Sequence, residues 1–280
     1  MSAKPVRLVT TFFGSLGRGF TRSGIRFREF LRHTSGVCHL AAATLYFSVV
    51  GLVRSRLHTR RQFFLMMRNV GVSSFPIVAL VSFLIGAILV LQSGEPLKRF
   101  GQIQEVPGAV ALTLTREISP LLTAIIMTAR VGASFTAVLA SMRINEEVLA
   151  LETMAIHPVA HLVAPRFLSM LIMLPCLTVF SYLVGMAGGA LVGRTIYSLP
   201  YSLYVDKTVY YLTMTDIVSG LVKAGVFGVI IALVCCYYGL IVEGGSVGLG
   251  RNIMVAVVTS IVLIILADAL ATAFINNYVF

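Results

Sequence analysis

The chain has 280 residues, 58% of them hydrophobic and only 12% charged, with a formal net charge of +11 and a mean hydropathy of +0.92. A soluble domain carries roughly 25% charged residues, so this composition excludes an ordinary water-soluble fold. The apolar residues form continuous runs of about 20 without alternation, which predicts an all-α, polytopic membrane protein and argues against a β-barrel.

The charge is unevenly placed. Residues 1–70 hold twelve Lys/Arg and one acid, Glu29, and so carry the whole net charge. Beside membrane segments this bias reads as a positive-inside signal and an attraction to anionic lipid, not as a nucleic-acid surface. Within it, residues 6–33 read as an interfacial helix. Phe13, Leu16, Phe20, Phe27 and Leu31 recur at helical spacing, Arg18, Arg22 and Arg26 form a row on another face, and Gly14, Gly17, Gly19 and Gly24 weaken the helix. The run 37–53 barely reaches across about 30 Å of hydrocarbon and has arginines on both flanks, so an embedded or re-entrant segment is expected. The organisation expected is therefore a basic, amphipathic, membrane-embedded region over 1–70 and one transmembrane domain over 71–280.

Five spans follow, at 72–91, 108–139, 166–193, 217–241 and 253–276. With the basic region inside, five spans put the carboxyl terminus outside. Loops 92–107 and 194–216 then face outward, and the polar stretch after the second span faces the cytoplasm, as does 242–252. Four charges fall inside spans: Arg116, Glu117, Lys223 and Asp268. Counted at about 1.5 Å per residue, all lie some 10–15 Å below the outer surface. They admit three readings: a buried ion-pair network that fixes register, a polar belt around a cavity for a lipid headgroup, or a proton relay. Arg130 lies deeper, near the cytoplasmic end of its span, and snorkels there.

Gly185, Gly189 and Gly193 form GxxxGxxxG, a close-packing signal whose partner helix the spacing leaves open. Pro175 in the same span implies a kink. GGSVGLGRN at 244–252 follows no strand, and the chain has no GxxxxGK[ST], so a flexible turn is expected and not a phosphate loop. Cys38, Cys176, Cys235 and Cys236 read as small core residues. His157 and His161 are four apart, but Pro158 between them spoils a metal-binding helix, and no metal site is expected. Neither HExxH nor a Ser/His/Asp set suggests an enzyme.

The polar stretch itself is organised. Asn145 is a candidate N-cap, Glu146 and Glu147 suit the positive helix end, and Ile144, Val148, Leu151 and Ala155 share a face, so residues 143–157 read as a short amphipathic helix ended by His157-Pro158.

From LTREISP onward the sequence resembles the MlaE (YrbE) family of ABC permeases. Arg116-Glu117-Ile118-Ser119-Pro120 matches the family's R-E-[LI]-[GS]-P, and Arg130-Val131-Gly132-Ala133 the next motif. Met142, Glu146, Leu149, Ala150, Leu151 and Glu152 match the third, and Pro158, Pro165 and Arg166 follow. The likeness runs from about residue 60 to the end. Two positions depart: Glu147 stands where the family has Gln, and His157 where it has an acid.

The resemblance implies a non-catalytic permease subunit of a phospholipid-transport complex in a bacterial inner membrane, amino terminus cytoplasmic and carboxyl terminus periplasmic. It implies a homodimer, an MlaF-like ATPase that binds ATP and Mg, an MlaD-like MCE ring and, in many systems, an MlaB-like STAS protein. The chain itself would hold no cofactor. Lipid would move between the inner membrane and the periplasmic ring, maintaining outer-membrane asymmetry. Arg143, Asn145, Glu146, Glu147, Leu149, Leu151 and Glu152 would meet the ATPase, and Arg116, Glu117, Lys223 and Asp268 would line the lipid cavity. Two rivals differ in mechanism: a proton-coupled secondary lipid transporter, and an anchor for an MCE ring that moves no lipid.

Overall fold

The structure is a computed structural model that describes residues 35–37, 39–48 and 57–278. The expected interfacial helix at 6–33 lies outside the described residues. Of the 37–53 run, 37 and 39–48 are helical, and 49–53 lie outside. The chain divides into two units, Met1–Ala43 and Thr44–Phe280. In the first, 35–37 and 39–43 are helical; everything below belongs to the second.

That unit is helical, and five of its helices are long and apolar enough to cross a membrane. Helix α1 (Leu57–Val70) turns through Gly71–Ser74 into α2 (Phe75–Arg99), whose first turn accommodates a proline because helical N–H groups there have no internal partner. Helix α3 (Ile103–Ile144) opens with a 3-10 turn and contains two π-helical turns, Leu114–Ile118 and Thr128–Gly132. A short helix, α4 (Glu147–Thr153), precedes α5 (Val159–Tyr197). Helix α6 (Tyr201–Tyr211) leads into α7 (Met214–Leu240) and α8 (Gly245–Tyr278).

Lipid gives packed helices no hydrophobic drive toward one another, so close approach at small residues holds such a bundle. The open partner of the glycine stripe is α2 of the same chain. A Cβ on Gly86 would sit 1.8 Å from the Gly185 carbonyl oxygen, and one on Gly188 2.2 Å from that of Phe83. Ser82 and Ser181 hydroxyls meet at 2.8 Å across the same seam. Val90, Val106, Val110, Leu114 and Tyr204 form a buried cluster that joins α2, α3 and α6. Burial there pushes the Tyr204 hydroxyl up to about 12.

Four expectations change. The stretch 194–216 is not a plain loop: it holds α6, whose buried Tyr204 docks it on the bundle. GGSVGLGRN is helical from Gly245 onward, so most of it belongs to α8. Cys235 and Cys236 are core residues, but Cys176 is exposed. Asn145 does not cap α4. It ends α3, its N–H donating to the Ser141 carbonyl, and Glu146 takes the N-cap position with φ +61 and no side-chain cap bond. The helical drive of α3 carries one turn further than the Asn preference for caps suggested.

Candidate functional site

The charged motif RE at 116–117 lies in the first π turn of α3, a wide turn often found at functional sites. Pro120 follows four residues after Arg116. Having no N–H, it cannot bond the Arg116 carbonyl. Lys223 Nζ donates to that carbonyl at 3.1 Å. The proline thus supplies an acceptor deep in the bundle, and a lysine on α7 occupies it.

Lys223 is 2% exposed and makes a dense set of contacts. Its ammonium lies 2.8 Å from Glu117 Oε2, 2.8 Å from the Thr272 hydroxyl and 3.1 Å from Asp268 Oδ1. The Thr272 hydroxyl is placed to donate to Glu117 Oε1 at 3.0 Å or to the Asp268 carbonyl at 2.8 Å. One turn back from Lys223, Gly220 lets α7 approach α3: a Cβ there would meet the Thr115 carbonyl oxygen at 2.4 Å. That approach brings the lysine within reach of the π turn.

Arg116 turns elsewhere. Its Nε donates to Asp216 Oδ1 at 2.6 Å, and Asp216's side chain is wholly buried. Asp216 also accepts from the Thr213 N–H and hydroxyl, forming a capping box that starts α7. Asp216 falls in the stretch 194–216 expected as an outward loop, and Thr272 lies unmarked within the fifth expected span. The signal available for Asp216 was Thr213-x-x-Asp216 ahead of an apolar run; for Thr272 there was none. The group has two cations, Arg116 and Lys223, against three carboxylates, Glu117, Asp268 and Asp216. Arg116 is 37% and Glu117 36% exposed, so the cluster has one sealed core, Lys223, and an open flank able to meet a polar ligand.

The second feature is α4. Only Val148 on it is buried. Its neighbours Arg143, Asn145 and Glu146 are exposed, as are its own Glu147, Leu149 and Glu152; Leu151 is half-buried. It does not run to His157-Pro158. Ala155, at φ +57, donates to Glu152, and Ile156 donates to Leu151, a Schellman ending that halts the helix before the proline. His157 packs on Phe47 with ring centroids 4.5 Å apart. A cavity of about 550 Å³ beneath α4 is lined by Arg143, Val148, Glu152, His157 and Leu240 among others. Leu240 ends α7, the helix that carries Lys223, so one rigid element links α4's underside to the charge cluster.

Five membrane-length helices, with a charge cluster inside them and a short exposed helix at the end of the second span, make this an integral membrane protein. The family model Permease MlaE matches residues 63–274, and the chain belongs to that family. It is 42% identical over 205 residues to a "Probable ABC transporter permease protein" of Rickettsia felis, covering 72% of this chain and 78% of the relative. A "Probable ABC transporter permease protein" of Synechocystis sp. is 34% identical over 209 residues, 75% of this chain and 80% of that one. "Protein TRIGALACTOSYLDIACYLGLYCEROL 1, chloroplastic" of Arabidopsis thaliana is 31% identical over 226 residues, 81% of this chain and 64% of that protein.

Proposed function

We propose that this permease is the non-catalytic membrane subunit of an ABC-type complex that moves phospholipid between a bacterial inner membrane and a periplasmic MCE-protein ring, maintaining outer-membrane lipid asymmetry. Two copies form a dimer. An MlaF-like ATPase, which binds ATP and Mg, docks on the cytoplasmic side, with an MlaB-like STAS protein in attendance. The amino terminus is cytoplasmic and the carboxyl terminus periplasmic.

The observation that carries this reading is the pairing of two unlike polar features within one membrane bundle. The Lys223 cluster offers charge and hydrogen bonds inside apolar walls, which suits a headgroup. The exposed acids and apolar side chains around α4 suit a protein partner. One relative's name is that of a galactolipid, which supports a lipid cargo. In mechanism, closure of the ATPase pair pushes α4 against the Leu240 end of α7. The shift reaches Lys223, about 25 Å along that helix, and reorganises the headgroup contacts of Arg116 and Glu117.

The test is a purified complex in proteoliposomes carrying labelled phospholipid. Transfer should require ATP and survive collapse of the proton gradient. Transfer that needs the gradient and ignores ATP would favour the secondary transporter. Assembly without any transfer would leave only the anchor.

A further inference from the structure

At the end of the bundle nearer α4, a second cavity of about 330 Å³ opens between the α1–α2 turn, α3 and α5. Arg130, Arg166, Asn69, Ser73 and Ser134 are its polar lining. Arg166 is 5% exposed. One of its N–H groups donates to the Leu162 carbonyl, and its guanidinium sits 5.9 Å from the Phe135 ring centroid. Arg130 lies in the second π turn of α3. Among the described residues, neither guanidinium has a carboxylate within ion-pair distance. The Lys223 cluster lies about 20 Å away along α3, with its own carboxylates.

A guanidinium carries five donors and holds its charge, and burying it without an anion is costly. Arg166 is such a group, and with the exposed Arg130 on the same cavity it calls for an anion with several acceptor oxygens, such as a phosphate. The cavity's level selects the kind of phosphate. Helix α1 mixes Arg60, Arg61 and Arg68 with Phe63, Phe64, Leu65, Met66 and Met67, the composition of a helix at a membrane surface. Its turn into α2 therefore sits at headgroup depth, with Asn69 and Ser73 facing the cavity. Val138, 45% exposed, lines the same cavity and offers an apolar exit for acyl chains.

We infer that Arg130 and Arg166 form a binding site for the phosphate of an anionic phospholipid drawn from the leaflet on the α1 side, separate from the Lys223 cluster. The inference rests on the membrane bundle alone and holds whatever drives transport.

The test uses the full-length chain in detergent, titrated with phosphatidylglycerol, with diacylglycerol or with inorganic phosphate, and bound lipid counted by native mass spectrometry. Wild type should hold phosphatidylglycerol. Arg130→Gln, at an exposed position, should weaken it about tenfold or more. Arg166→Lys, which keeps the charge and loses the fork, should weaken it less. Arg194→Gln, at the far end of α5, should change nothing. Equal retention by Arg130→Gln and wild type would overturn the site, as would equal retention of diacylglycerol, which has no phosphate. Displacement of the lipid by equimolar inorganic phosphate would assign a soluble anion instead.

Discussion

The Lys223 cluster and α4 hold charges of the same kinds under opposite conditions. Inside the bundle, each carboxylate has a cation within 3.1 Å, and the lysine also has a carbonyl and a hydroxyl. Around α4, Glu146, Glu147 and Glu152 stand in the open, beside Leu149 at 49% and Met154 at 68% exposure. Removing one member of a buried group leaves uncompensated charge and costs stability. Removing an exposed charge costs the fold almost nothing. Function should therefore separate from stability at α4 and not at Lys223.

Lys223→Met should destabilise the protein by about 3 kcal/mol, the low end for a broken buried pair, because Glu117 is a third exposed. Thermal melting in detergent reads this, and adding Glu117→Gln and Asp268→Asn should recover most of the loss. A melting point unmoved by Lys223→Met would mean that the cluster carries no structural burden. Gly86→Val forces a side chain into the Gly185 carbonyl and should cost about 1–3 kcal/mol by the same measurement. Ala155→Gly acts in the other direction. It relieves a left-handed residue at the end of α4 and should stabilise that ending by about 0.5–1 kcal/mol, read as slower hydrogen exchange at Ile156, whose N–H donates to Leu151.

The smallest effect is a matter of pH. The hydrogen bond from Lys207 to Glu105 raises the lysine above its ordinary value of about 10.5. A raised lysine contributes fully below that ordinary value and loses its contribution as the pH climbs past the folded one. Wild type should therefore lose more of its melting temperature above about pH 10.5 than Lys207→Met does. Parallel losses would place no stability in this bond.

Much of this was legible in the sequence, for a definite reason. Lipid demands long apolar helices, so five apolar runs gave five spans, and charges inside them stood out against that background. What the runs could not convey was pairing. Asp216 read as a loop acid because it caps the helix that Lys223 rides on, and caps look like loop residues. Thr272 is an ordinary threonine until its neighbours are known. Arg116 and Glu117 are adjacent in sequence, yet a π turn and a missing proline N–H send them to different partners. The glycine stripe announced close packing, but only the fold could name Gly86 as its counterpart. At α4 the expected apolar face is buried at Val148 and half-buried at Leu151, but exposed at Ile144 and at Ala155. There a left-handed residue ends the helix before the proline that was expected to end it.

In the function proposed, ATP drives lipid through this permease by way of α4. The most direct test is the rate of ATP-dependent phospholipid transfer from proteoliposomes holding the whole complex, wild type against Glu146→Lys/Glu147→Lys. The charge-reversed protein should melt within about 0.5 kcal/mol of wild type, lose its ATPase on purification and transfer no lipid. An ATPase still bound, with transfer at the wild-type rate, would contradict the claim.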